Sequence, residues 1–161
     1  MNSGFKELLR IFNGHKVKYL VVGGYAVMKY TEPRYTKDLD LWISSDPENA
    51  KAVFRSLREF GAPLTGLSET DFTQEGAFYQ MGRPPARIDI LMSIDGLCFE
   101  DAWAHRLRVN FDDTPAFLIS RQDLMTNKKA TGRPQDLIDV DNLTLAEKVE
   151  QKLKSDPLSE K

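Results

Sequence analysis

The chain has 161 residues, enough to close one hydrophobic core without help from disulfides or a structural metal. Its 22 basic and 24 acidic side chains leave a formal net charge of -2, which excludes a general attraction for polyanions and requires any nucleotide or nucleic-acid binding to be local. The 41% hydrophobic content, the lack of an apolar signal core at the N-terminus and the absence of any run long enough to span a membrane point to a globular, cytoplasmic protein.

In chain order, residues 5–12 carry apolar side chains at helical spacing, and Asn13-Gly14 reads as the stop of that helix. Residues 17–22 end in a nearly continuous β-branched and aliphatic run, expected as a strand buried on both faces, which breaks at Gly23-Gly24. A short helix over 25–30 ends before Pro33, and residues 38–43 form a second strand. Ser45-Asp46-Pro47-Glu48 then starts a helix expected to run to Phe60, with Gly61 as its cap. The stretch 61–75, rich in Gly, Pro, Ser and Thr, is expected to be a loop with little structure of its own.

Residues 77–82 and 86–92 read as a hairpin across Arg83-Pro84-Pro85. A helix over 99–107 follows, then short strands over 108–111 and 116–119, with Ser120 as the N-cap of a further helix. Helical segments at about 121–131, 134–143 and 145–153 complete the chain, and the residues from Ser155 are expected to form a flexible tail. This order gives an α/β or α+β domain over 1–154, with a mixed central sheet in a core of about 15–119 and a short helical part over 120–154. Cys98, the single cysteine, cannot form an internal disulfide and reads as a small apolar residue of the kind usually buried.

The chemistry concentrates in two acids at a fixed offset after a Gly-Gly break. Glycines that follow a buried strand let backbone amides approach a phosphate, and the next helix presents its positive end to the same anion. Strand alternation points Asp38 and Asp40 to one face and Leu39 and Leu41 into the core. Two carboxylates in one small space favour a cation, as in Mg²⁺ sites of enzymes that move phosphoryl or nucleotidyl groups. A solvated edge strand would present the same pair. Asp89 emerges from the apolar strand sequence Arg87-Ile88-Asp89-Ile90-Leu91, an unusual place for a spare aspartate. Should its strand neighbour that of Asp38, three carboxylates converge; the plainer alternative is an ion pair of Asp89 with Arg87 or Lys37.

Gly23-Gly24, Asp38-Leu39-Asp40-Leu41 and a later Asp89 in a hydrophobic strand together resemble the signature of the DNA polymerase β-type nucleotidyltransferase superfamily. Within it, Val22-Gly23-Gly24-Tyr25-Ala26 with Tyr35-Thr36-Lys37-Asp38-Leu39-Asp40 is similar to the AbiEii-type toxin nucleotidyltransferases and their small relatives. Lys128-Lys129, Arg133 and Gln135-Asp136-Leu137-Ile138-Asp139 look like the basic, then acidic, helical motif of that family.

The resemblance implies the nucleotidyltransferase fold and two Mg²⁺ ions, with Mn²⁺ as the alternative, held by Asp38, Asp40 and Asp89, the last doubling as base for the acceptor hydroxyl. It assigns the phosphates of a nucleoside triphosphate to Gly23 and Gly24, beside Thr36 and Lys37. Lys128 or Lys129, with Arg133, would neutralise the triphosphate, and Asp136 would orient one of these basic groups. Without the family, the same basic residues read as a solvated helix face. Arg34 and Lys37 would contact phosphates or pair with the acids. The reaction implied is attack by a hydroxyl of tRNA, protein or a small molecule on the α-phosphorus. A toxin role would bring a cognate antitoxin as partner. A regulatory nucleotide- or partner-binding module that keeps the fold without catalysis is the competing expectation. The two histidines, His15 and His105, lie outside the acidic elements and are expected on the surface or on helices.

Overall fold

The computed structural model describes residues 1–33, 36 and 38–155; Arg34, Lys37 and the tail from 156 onward lie outside the described residues, as do the roles expected for them. Helix α1 (Ser3–Gly14) starts where the Asn2 side chain accepts the Gly4 N–H at 2.7 Å, and it buries Phe5, Leu8, Leu9 and Phe12 along one stripe. Its end differs from expectation. Gly14 lies in the last turn, and the residue that takes the left-handed conformation is Lys16, at φ 58°. There the Lys16 N–H bonds Asn13 O and the Val17 N–H bonds Phe12 O, a pairing that satisfies the last helical carbonyls.

Strand β1 (Tyr19–Val22) is buried throughout and runs directly into α2 (Gly23–Tyr30). Strand β2 (Asp38–Ile43) pairs antiparallel with β1 and parallel with β4 (Arg87–Leu91), while β3 (Phe78–Met81) closes the expected hairpin on β4. On the other side, β6 (Thr114–Leu118) lies parallel to β1 and antiparallel to β5 (Leu107–Phe111). The result is a six-stranded mixed sheet in the order β3-β4-β2-β1-β6-β5. Helices α3 (Pro47–Phe60), α4 (Phe99–Ala104), α5 (Arg121–Thr131) and α6 (Pro134–Ser155) complete the molecule. One hydrophobic cluster runs from Phe5 on α1 to Leu143 on α6.

Several local expectations need correction. The 61–75 stretch contains a 3₁₀ turn (Glu69–Thr73) that plants Phe72, fully buried, between Phe54 and Tyr79 at ring distances of 6.2 and 5.8 Å. A single aromatic anchor is enough to order a segment whose composition reads as loop. Helix α4 ends at Ala104 instead of 107, because Leu107 already belongs to β5. The two segments expected after Pro134 are one helix; the Thr144 hydroxyl bonds Val140 O at 2.8 Å, which keeps this residue inside the helical ladder. Cys98 is exposed just before α4, not buried.

Candidate active site

The parallel pairing of β2 and β4 sets Asp40 opposite Asp89 and Asp38 opposite Arg87. Side chains opposite one another in a ladder share a face, so register alone gathers three carboxylates and one guanidinium on one side of the sheet. Leu39 and Leu41 turn to the other side and are fully buried. Arg87 Nη2 lies 2.7 Å from Asp38 Oδ2 and 3.3 Å from Asp89 Oδ2, and its Nε lies 3.2 Å from Asp89 Oδ1. The ion pair of Asp89 with Arg87 weighed from sequence is thus present, and it coexists with the clustering of the acids.

Among the described residues, no ion pair of this kind reaches Asp40. Burial, then the charge of Asp89, a hydrogen bond shared with Asp89 and the charge of Asp38 push its carboxyl up to about 7, with Lys128 pulling the other way. Among the described residues, Asp38 Oδ1 and Asp89 Oδ1 are buried without a hydrogen bond. As the side chains stand, no three acidic, histidine or cysteine groups of the described residues are close enough together to hold a metal ion. The three acids nonetheless offer only carboxylate oxygens, two of them with spare acceptor capacity, a donor chemistry that suits a hard divalent cation.

Gly23 shapes this site in a way its sequence context does not reveal. It holds φ 66°, and a Cβ built on it would fall 2.1 Å from Asp40 Oδ2. Only glycine lets the Asp40 carboxylate seat against the start of α2.

A cleft of about 290 Å³ opens beside Asp40, lined by Val22, Gly23 and Gly24 from the β1–α2 junction and by Lys128, Arg133 and Asp136 from α5 and α6. Lys128 is 8% exposed, its Nζ 3.3 Å from Asp136 Oδ1 and 3.2 Å from Asp139 Oδ2. Asp136 also accepts the Arg133 Nε–H at 2.8 Å and the Arg133 backbone N–H at 3.2 Å. Burial raises the Asp136 carboxyl, but hydrogen bonds from Arg133 and Thr131 and the charges of Lys128 and Arg133 outweigh it, leaving about 2. The adjacent Arg133 is held above the ordinary guanidinium range, chiefly by its hydrogen bond to Asp136.

Lys129 is exposed and does not line the cleft, and Thr36 stands half-buried before β2, outside the lining. Sequence reasoning named Asp139 only as part of an acidic motif, with no role, and did not foresee Arg87 as a bridge between two acids; Asp139 is fully buried against Lys128. The spacing of Asp136 and Asp139, three apart on one helix, was the signal that both carboxylates face the same side. Asn127, Ser93 and Asp95 also line the cleft; Asn127 Nδ2 donates to Asp95 O at 2.9 Å and so pins the 93–95 segment to α5. The histidines lie elsewhere, His15 against Glu59 and His105 against Asp123.

A mixed sheet flanked by helices, with paired acids on β2 facing a glycine-opened helix start, defines the nucleotidyltransferase fold. Residues 4–155 match the family described as "Nucleotidyltransferase of unknown function (DUF6036)", and the chain belongs to that family. Its fold is similar to the crystal structure of the lincosamide antibiotic adenylyltransferase LnuA in its lincomycin-bound form, with a TM-score of 0.54 at 16% identity over 89% of this chain and 96% of that one. No curated protein matches the chain. Among the described residues, no helix is long and apolar enough to cross a membrane.

Proposed function

We propose that this protein is a metal-dependent nucleotidyltransferase that moves a nucleoside monophosphate from a nucleoside triphosphate to an acceptor hydroxyl. The observation that carries this reading is the β2–β4 register, which sets Asp40 opposite Asp89 one step from Asp38, beside a cleft with a buried lysine. Asp38, Asp40 and Asp89 would hold two Mg²⁺ ions. When bound, these supply charge neutralisation on the triphosphate and lower the proton affinity of the attacking hydroxyl.

The chain's own groups do the rest. Gly23 and Gly24 bring backbone close to the phosphates at the start of α2. Lys128 and Arg133 draw the triphosphate into the cleft, and Asp136, bonded to both, fixes where those cations point. An Asp89 carboxylate oxygen takes the proton of the acceptor hydroxyl. The pyrophosphate leaves along the side lined by Lys128 and Arg133. The contribution is position and electrostatics, with no covalent enzyme intermediate.

The acceptor is an RNA, a protein or a small molecule. LnuA, by its name, adenylylates a lincosamide antibiotic, which supports a small-molecule acceptor; the AbiEii-like motifs support a toxin role with an antitoxin partner and leave the acceptor open. The second reading, a nucleotide- or partner-binding module without catalysis, draws support from Arg87, which already neutralises two of the three acids. Incubation of the protein with each of the four labelled nucleoside triphosphates, Mg²⁺ and cellular RNA, protein or small-molecule fractions separates the two. Transfer of label that is lost in Asp40→Ala supports catalysis. Failure to transfer any of the four nucleotides would favour the binding module.

A further inference from the structure

At the opposite end of β1 from Gly23 lies a second cleft, of about 360 Å³, lined by Lys16, Lys18 and Arg108 together with Trp103 and Phe117. Three cations line it and, among the described residues, no carboxylate does. In a chain whose net charge is -2 this is a local concentration of positive charge of the kind anion binding requires.

The cations are set on fixed backbone. The Lys18 N–H bonds Asn49 Oδ1 at 2.8 Å, and Asn49 Nδ2 returns a bond to Lys18 O at 3.0 Å. Arg108 sits on β5, opposite Phe117 of β6. Lys16 occupies the left-handed position at the end of α1, where glycine is the favoured residue, so its side chain stands there at a conformational cost. The aromatic wall is equally ordered. Trp103 meets Phe117 edge-on at 5.0 Å, and the Arg106 guanidinium lies 4.0 Å over the Trp103 ring and 5.4 Å over that of Phe117. Aromatic side chains held in a fixed wall offer surface to a planar base, while separated ammonium and guanidinium groups suit phosphate oxygens.

We propose that this cleft binds a nucleotide unit, its phosphate on Lys16, Lys18 and Arg108 and its base against the wall formed by Trp103 and Phe117. The unit comes either as a free nucleotide or as one residue of a single-stranded RNA. This site is separate from the catalytic cleft and does not depend on the transfer reaction.

The two tryptophans make the test local: Trp42 is 1% exposed, whereas Trp103 is partly exposed in the cleft wall. Tryptophan fluorescence is titrated with AMP and, separately, with a single-stranded RNA pentamer of mixed sequence, both in EDTA so that metal-dependent triphosphate binding does not contribute. Saturable quenching is expected with at least one ligand. If RNA binds about tenfold or more tighter than AMP, the unit belongs to a strand; comparable affinity assigns it to a free nucleotide. Lys18→Gln combined with Arg108→Gln should weaken binding about tenfold and, for RNA, flatten the dependence of log K on log salt by about 1.4. Lys16→Gly should weaken binding while raising the melting temperature, a combination that a merely damaged fold would not give. Asp40→Asn should leave the titration unchanged. Absence of quenching with both ligands, equal binding by the double variant, or loss of the signal in Asp40→Asn would each overturn the proposal.

Discussion

Replacing Gly23 with alanine should damage both stability and transfer, and the two costs are separable. The first is backbone strain: an alanine held at φ 66° is destabilised by about 1–2 kcal/mol. The second is steric. The new Cβ falls 2.1 Å from Asp40 Oδ2 and 3.0 Å from Asp40 Cγ, where ordinary contact begins at 3.4 Å. Asp40 faces Asp89 across the ladder, so the carboxylate has to move out of its place beside the other acids. Overpacking of this kind adds about 1–3 kcal/mol, for a total of roughly 2–5 kcal/mol. In a domain of this size that lowers the melting temperature by roughly 5–15 °C. A displacement of about 1 Å at a catalytic carboxylate is expected to lower the transfer rate about 100-fold. Gly61→Ala is the matched control, because Gly61 has φ 90° and open space where its Cβ would stand. It should show the backbone cost alone, with transfer intact. If Gly23→Ala loses no more stability than Gly61→Ala and transfers nucleotide at the wild-type rate, the packing of Asp40 against Gly23 does not govern the site.

Lys128→Met removes the ammonium that sits between Asp136 and Asp139, two carboxylates exposed by 2% and 0%, and should destabilise the protein by about 3–5 kcal/mol in urea denaturation. Adding Asp139→Asn to that variant should recover part of the loss; no recovery would mean that the pairing is not what the lysine supplies. Asp136 has a folded-state carboxyl near 2, below its ordinary value of 3.8, so the stability it contributes is present above pH 4 and disappears as pH falls through 2. That contribution is about 2 kcal/mol. The stability gap between wild type and Asp136→Asn, followed by urea denaturation at several pH values, should therefore close between pH 4 and pH 2. Lys16→Gly relieves a left-handed lysine and should raise stability by about 1 kcal/mol, measured by thermal denaturation; an unchanged or lowered midpoint would show that the turn at the end of α1 is not strained.

Much of the fold is written in local patterns. The stripe of Phe5, Leu8, Leu9 and Phe12, the aliphatic run before Gly23 and the hairpin around Pro84-Pro85 each follow from spacing and turn chemistry, because short-range geometry decides them. The alternation of Asp38, Leu39, Asp40 and Leu41 likewise fixes which faces the acids and leucines take. Where expectation failed, a contact distant in sequence or a side chain's hydrogen bond intervened. Phe72 orders the 61–75 stretch by reaching Phe54 and Tyr79, and Thr144 stays helical by bonding Val140 O.

The sequence by itself determined that Asp38 and Asp40 share a face and that Asp89 lies in an apolar strand. Only the tertiary structure decided that Asp89 stands opposite Asp40, since strand order and register arise from packing between segments almost fifty residues apart. It also decided that Arg87 bridges Asp38 and Asp89, that Lys128 rather than Lys129 turns toward the cleft, and that Gly23 is needed to seat Asp40. Each of these depends on a distance between elements, and a linear pattern carries no such distance.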